Sequence, residues 1–431
     1  MVVLLLSTAL TATVLSCGFG LQPYVVELWS SSMYVNDVAV SDDGNYIAVT
    51  NETGLYFFSA YDPNPIWWFE GQEGFVSVEI SADGNYVVAG YGPGYIAYFA
   101  DALSLSGSVA DATWWSIDLG AGILRLMLDM SSDGNYVVAY TRAKADGYYV
   151  AYVYYFADCT SRSGVDQTPT WFNSTRDCFA RIVDMSRNGR YVAVGGSIGS
   201  SEFVAFYKDA DTKSGPVTPD WYKYVEERVV NLIVSDDGYA VAALILRTTF
   251  YYWANAKALT GTPEATWSGN GVFYSLGMSS DGDRVVAGFH SGYDQSIYFW
   301  SGARSLTGLP KETWQTLHVN ALTVTISEDG NTIVAIITRD DITYSLVFLT
   351  PDGSVIDEFP SPSLELGVIM SMSEDGGIVA IGTGPESLHV FKLIKPPVGG
   401  IVLPTLPIAP IAVLAAISIV AVMVTKAWLH K

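Results

Sequence analysis

Four histidines are all the chain offers for acid–base work near neutral pH: His290, His318, His389 and His430. They fall in separate segments, and no two have the His-x-x-x-His spacing that sets a pair of imidazoles on one metal ion. Carboxylates are plentiful, 44 against 22 Lys and Arg. A glycosidase needs one pair of them at a set separation, and the sequence singles out no pair. No Ser or Cys is marked as a nucleophile by a neighbouring base. The acids that do stand out share one motif. Asp43, Asp83, Asp133, Asp237, Asp281, Asp329 and Asp375, with Asn188 as an eighth, are each the third residue of a Ser-x-Asp/Asn-Gly tetrapeptide. A ring of such groups could hold cations, but Asp-Gly and Asn-Gly are also what a tight hairpin demands, because the side chain bonds to nearby backbone and Gly accepts a positive φ. We read all eight as structural turns.

The elements that position them follow from the spacing. Successive motif serines, from Ser41 to Ser373, lie 40, 50, 55, 49, 44, 48 and 46 residues apart, the length of a four-stranded propeller blade. An alternating strand such as Val76–Ile80 precedes each turn, and a nearly all-apolar one such as Tyr86–Gly90 follows it, as expected of a strand covered on both faces. A third, aromatic strand comes next, as at Tyr95–Phe99 and Ser296–Trp300. A fourth opens on Trp, as at Trp67, Trp114, Trp171, Trp221, Trp267 and Trp314. These aromatics read as packing between blades. Tyr24–Trp29 is a fourth strand without a blade, and the last repeat stops after a third strand at Leu388–Lys392. The expectation is therefore an all-β, eight-bladed β-propeller closed by its N-terminal strand, which leaves no open sheet edge.

Units such as Ile80-Ser81-Ala82-Asp83-Gly84-Asn85-Tyr86-Val87-Val88-Ala89-Gly90 resemble the WD40-like and quinoprotein-like (PQQ-type) repeats of prokaryotic cell-surface propellers, over nearly all of residues 24–394. The stretch from Ala258 to Trp267 looks like the docking motif of quinoprotein blades. The Trp-Asp and Gly-His dipeptides of eukaryotic WD40 repeats are absent, and so is the adjacent Cys pair that quinoprotein dehydrogenases keep near their cofactor. The resemblance thus implies blades, and no cofactor is expected.

The ends point to a membrane. Residues 1–20 are uncharged and read as a signal peptide or N-terminal hydrophobic segment. Residues 21–394 form the propeller, 395–407 a Pro/Gly linker, and 408–431 a transmembrane helix with a short basic tail, the uncharged run being long enough to cross about 30 Å of hydrocarbon. The propeller is placed on the extracellular side of a single-pass cell-membrane protein, where the sequons at Asn51 and Asn173 could carry N-glycans. A net charge of −22 argues against a nucleic-acid partner.

Cys159 and Cys178 fall at opposite rims in this register, too far apart for a disulfide. One face carries the tight turns. The other carries loops of varied length and charge, and Arg142, Lys144, His290, Tyr293, Arg339 and Asp340 on it are the candidate interaction residues. The reading is a non-catalytic, membrane-anchored module binding an envelope protein or glycan. A membrane-anchored propeller enzyme, either a hydrolase or a quinone-cofactor oxidoreductase, is the alternative.

Overall fold

Every Ser-x-Asp/Asn-Gly motif joins the first two strands of a four-stranded antiparallel sheet, because its own side chains close the turn. In the first, the Ser41 hydroxyl donates to Asp43 Oδ1 (2.6 Å), the Asn45 N–H donates to the same oxygen (2.9 Å), and the Tyr46 N–H returns to Ser41 Oγ (3.0 Å). The serine-to-Asp/Asn bond recurs in all eight turns at 2.6–3.0 Å.

The computed structural model describes residues 22–395 except 72, 93, 120–124, 146–147, 247, 270, 292–293, 317–318, 339–343, 361–368 and 384–386. Blade 1 comprises Asp37–Val40, Tyr46–Thr50, Gly54–Ser59 and Pro65–Glu70; blade 2, Phe75–Ile80, Val87–Tyr91, Tyr95–Phe99 and Trp114–Ser116. Blade 3 is Arg125–Met130, Val137–Ala145, Tyr148–Phe156 and Trp171–Arg176, and blade 4 is Cys178–Met185, Val192–Ile198, Ser201–Tyr207 and Trp221–Val225. Blade 5 follows with Val229–Val234, Ala240–Ile245, Phe250–Ala254 and Trp267–Ser268, then blade 6 with Phe273–Met278, Arg284–Ser291, Asp294–Ser301 and Trp314–Gln315. Blade 7 is Asn320–Ile326, Ile333–Thr338, Tyr344–Leu349 and Val355–Pro360. Blade 8 takes Ile369–Met372, Ile378–Gly382 and Leu388–Ile394 from the end of the chain and Tyr24–Ser31 from its start, so the ring closes as the strand count requires.

The core lies between blades. Second strands are buried on both faces, as at Ile47, Ala48 and Val49. In every blade but the seventh, a Trp of the fourth strand packs under the next blade and donates its indole N–H to a carbonyl there: Trp67 to Ala102 (2.9 Å), Trp114 to Cys159 (3.0 Å), Trp171 to Ala210 (2.8 Å), and Trp29 of blade 8 to Ala60 of blade 1 (2.9 Å). Removing one such side chain costs roughly 3–5 kcal/mol. The connection between third and fourth strands then turns back: Gly107–Ser108, Gly164–Gln167 and Gly215–Pro216 each pair in parallel with the fourth strand of the preceding blade.

Two expected loops are strands. Thr141–Ala145 and His290–Ser291 continue their second strands as hairpins, Arg142 pairing with Ala151 and His290 with Gln295, because backbone pairing tolerates their polar side chains at the rim. Among the described residues no helix is long and apolar enough to cross a membrane. The expected signal segment, linker and transmembrane helix, with His430, lie outside the described residues, apart from Lys395 of the linker.

Candidate functional site

All eight blades line a central channel, seven through their first strands and blade 7 through Glu328 of its turn. Two residues before the motif serine, the side chain points into it, and this position holds Glu79, Asp129 and Asp184 in blades 2, 3 and 4. The aspartates staple neighbouring blades. Asp129 accepts the N–H groups of Met130 in its own blade (2.7 Å) and Met185 in the next (2.5 Å), and Asp184 accepts that of Val234 (2.7 Å). Ser371 does the same for Val40 (3.0 Å), and two residues further down Asp37 reaches Val78 (3.1 Å). Glu79 has no hydrogen-bond partner among the described residues. Burial pushes the carboxyl of Asp37 up to about 6 and that of Asp129 up to about 7. Glu79 and Asp184 also stand well above the ordinary range, through burial and then the charge of neighbouring acids.

At the turn face the channel mouth is bordered by the second residue of each motif: Asp42, Ala82, Ser132, Arg187, Asp236, Ser280, Glu328 and Glu374. Their backbones bond from blade to blade around the mouth, for example Ala82 N–H to Ser132 O (2.8 Å), Ser132 N–H to Arg187 O (2.8 Å), Asp236 N–H to Ser280 O (2.8 Å) and Glu374 N–H to Asp42 O (3.1 Å). Arg187 is the one base in this ring. From blade 4 its guanidinium spans the mouth to Asp42 of blade 1, Glu328 of blade 7 (2.6 Å) and Glu374 of blade 8 (3.3 Å), and its Nε donates to Ser132 (2.8 Å). Burial raises the Asp42 carboxyl and lifts that of Glu328 to about 7, despite the attraction of Arg187. The motif's x position passes for spacer when the turns are read singly; aligning them shows one Arg among acids and small residues.

The turn residues Asp43, Asp83, Asp133, Asn188, Asp237, Asp281, Asp329 and Asp375 are brought into this one ring, each spent on its own turn. Among the described residues no three His, Cys, Asp or Glu side chains converge to hold a metal ion.

The loop face gathers less. The Arg142 guanidinium is sandwiched between the rings of Tyr149 (4.1 Å) and Phe179 (4.0 Å), a cation–π clamp joining blades 3 and 4. The backbones of Lys144 and His290 lie in rim hairpins; Tyr293, Arg339, Asp340 and His318 lie outside the described residues. His389 is buried in blade 8, with Nδ1 2.7 Å from Glu27. Asn51 caps the hairpin between second and third strands of blade 1, its Oδ1 accepting from Thr53, whereas Asn173 sits in a fourth strand and donates its amide to Val217 O (2.7 Å). Cys159 and Cys178 are buried and free, on the turn face and the loop face respectively.

The WD domain, G-beta repeat family matches residues 261–301, from the docking loop of blade 5 to the third strand of blade 6. No curated protein matches the chain. Among solved structures it is similar to the C-terminal WD40 domain of Sif2, at 12% identity over 87% of this chain and all of that one, with a TM-score of 0.60. It is also similar to Chaetomium thermophilum Sqt1, solved bound to the N-terminus of the ribosomal protein L10, at 15% identity over 84% of this chain and 97% of that one, with a TM-score of 0.56. At such identities the likeness is one of fold, a WD40-like β-propeller.

Proposed function

We propose that the chain is a non-catalytic interaction module, anchored in the cell membrane by its C-terminal apolar run and presenting its propeller outside the cell to an envelope protein or glycan. The observation that carries this reading is the pairing of Tyr24 with Ile394. Both ends of the propeller leave blade 8 side by side on the turn face, so a tether attached there leaves the loop face free for a partner. Residues 401–425 are uncharged and are followed by Lys426 and Lys431, which supports the anchor. The aspartates of the channel are occupied as staples, and its mouth is barred by Arg187, which supports binding over turnover. Sqt1, a neighbour in fold, holds a peptide of another protein. The parallel docking strands support the quinoprotein-like side of the repeat resemblance.

The test is made in intact source cells with the full chain and a version ending at Lys395. The full chain is expected in the membrane fraction and the shorter one in the medium. A photo-crosslinker at Asn51, on the loop face, should capture a partner that one at Asn85, on the turn face, does not. A full chain found in the cytosol, capture from the turn face alone, or a stoichiometric quinone or metal in the purified protein would overturn the reading.

A further inference from the structure

A cavity of about 190 Å³ lies between blades 3 and 4, beside their outermost strands. The side chain beside it varies from blade to blade, and only the first of Phe69, Ser116, Asn173, Lys223, Gly269 and Thr316 is aromatic. Two residues beyond the docking Trp, blade 1 carries Phe69, which packs on Phe99 (ring centroids 5.6 Å) and Trp115 (5.8 Å) of blade 2 and fills the corresponding space. Blade 3 carries Asn173 at that position, smaller and held by its bond to Val217 O (2.7 Å). Below it stands Tyr207, only 2% exposed, where other blades have Phe99, Phe156, Trp253 or Trp300. The Tyr207 hydroxyl lines the cavity and has no hydrogen-bond partner among the described residues. Tyr140, equally buried, adds a second hydroxyl whose contact is the soft Sγ of Cys178 at 3.8 Å. No charged side chain lines the cavity, its walls include Val153, Val194 and Phe203, and Tyr222 and Tyr224 stand exposed at its mouth.

A cavity of about 150 Å³ with an apolar lining is large enough for benzene. A hydroxyl that faces a small cavity instead of bulk water gains from an acceptor placed against it. Burial holds both phenols neutral, so they act as donors. We propose that this cavity is a binding site for a small, neutral, mainly apolar molecule whose buried end carries an accepting oxygen, which Tyr207 hydrogen-bonds. The site is independent of the interaction reading above and uses neither the channel nor the loop face.

The probes are acetophenone and cumene, alike in shape but differing in the carbonyl, titrated against the purified full chain by ligand-observed NMR. Acetophenone is expected to bind, with cumene weaker by about tenfold or more, because a site built to donate rejects the analogue without an acceptor. Tyr207→Phe, which installs the residue other blades carry, should erase the difference between the probes. Asn173→Phe, which introduces the side chain that blade 1 carries there, should abolish binding of both while near-ultraviolet circular dichroism stays native. Failure of acetophenone to bind, equal binding of the two probes to the wild type, or acetophenone binding unmoved by either substitution would overturn the proposal.

Discussion

Arg187 of blade 4 is ion-paired with Asp42 of blade 1, across the axis of the ring. The same guanidinium serves Glu328 and Glu374, so one side chain supplies the positive charge of a mouth ring whose other charged residues are all acids. Arg187→Gln should lower stability by about 2 kcal/mol, between the limits for exposed and buried pairs. The loss should be larger at pH 8 than at pH 5, where Glu328 is protonated and needs no partner. Chemical denaturation at the two pH values checks both statements, and an equal loss at each would show that the pairing matters little.

Stability should rise as the solution is mildly acidified. The channel acids Asp37 and Asp129 titrate near 6 and 7 in the fold, because burial disfavours their charged forms, and near 4 in the unfolded chain. Between those values the folded state holds more protons. Their contribution is therefore complete below about pH 4 and is lost as pH climbs through 6 and 7. Thermal melts should peak below neutrality. Glu79→Gln, at a carboxyl with no hydrogen-bond partner among the described residues, should flatten the slope, and a melt that improves steadily from pH 5 to 8 would contradict this assignment.

The joints between blades can be tested one at a time. Tyr98 donates to Gly134 O in the next blade (2.7 Å), and Tyr98→Phe should cost about 1 kcal/mol. Gly134 has φ 71°, and a Cβ there would stand 2.5 Å from the Tyr86 ring. Gly134→Ala should cost about 2 kcal/mol or more. Both are read from denaturant midpoints, with the tyrosine change expected to be clearly the milder.

Neither Cys159 nor Cys178 should react with a thiol reagent in the folded protein. Burial raises their thiols to about 12 and about 11, so almost no thiolate is present at neutral pH. Both should react at once in denaturant, and nonreducing peptide mapping should find no bond linking them.

What could be read along the chain is what acts locally. The turn chemistry of Ser41, Asp43 and Gly44 is complete within six residues, and it reports the blade count without knowledge of the rest. The tryptophans were legible as a pattern, although their acceptors, such as Ala102 for Trp67, lie on the following blade. Arg187 and Asp42 are separated by 145 positions, and nothing near either one signals the other. The hairpin through Arg142 and Lys144 reads as a loop because its residues are polar, yet pairing with Tyr149 and Ala151 depends on backbone alone. The cavity escaped for a different reason: its walls come from two blades, Tyr140 and Asn173 on one and Tyr207 on the next, and no local pattern brings them together.

Blade 8 also has a mechanical meaning. Its strand Leu388–Ile394 is gripped on one side by Ile378–Gly382 and on the other by Tyr24–Ser31. A pull on the chain end at Ile394 along the strand axis runs parallel to both ladders and across their hydrogen bonds, so the load is shared by all of them at once and none is peeled singly. The N-terminal strand that closes the ring is thereby also a clasp, holding hardest in the direction in which the C-terminal end would be drawn.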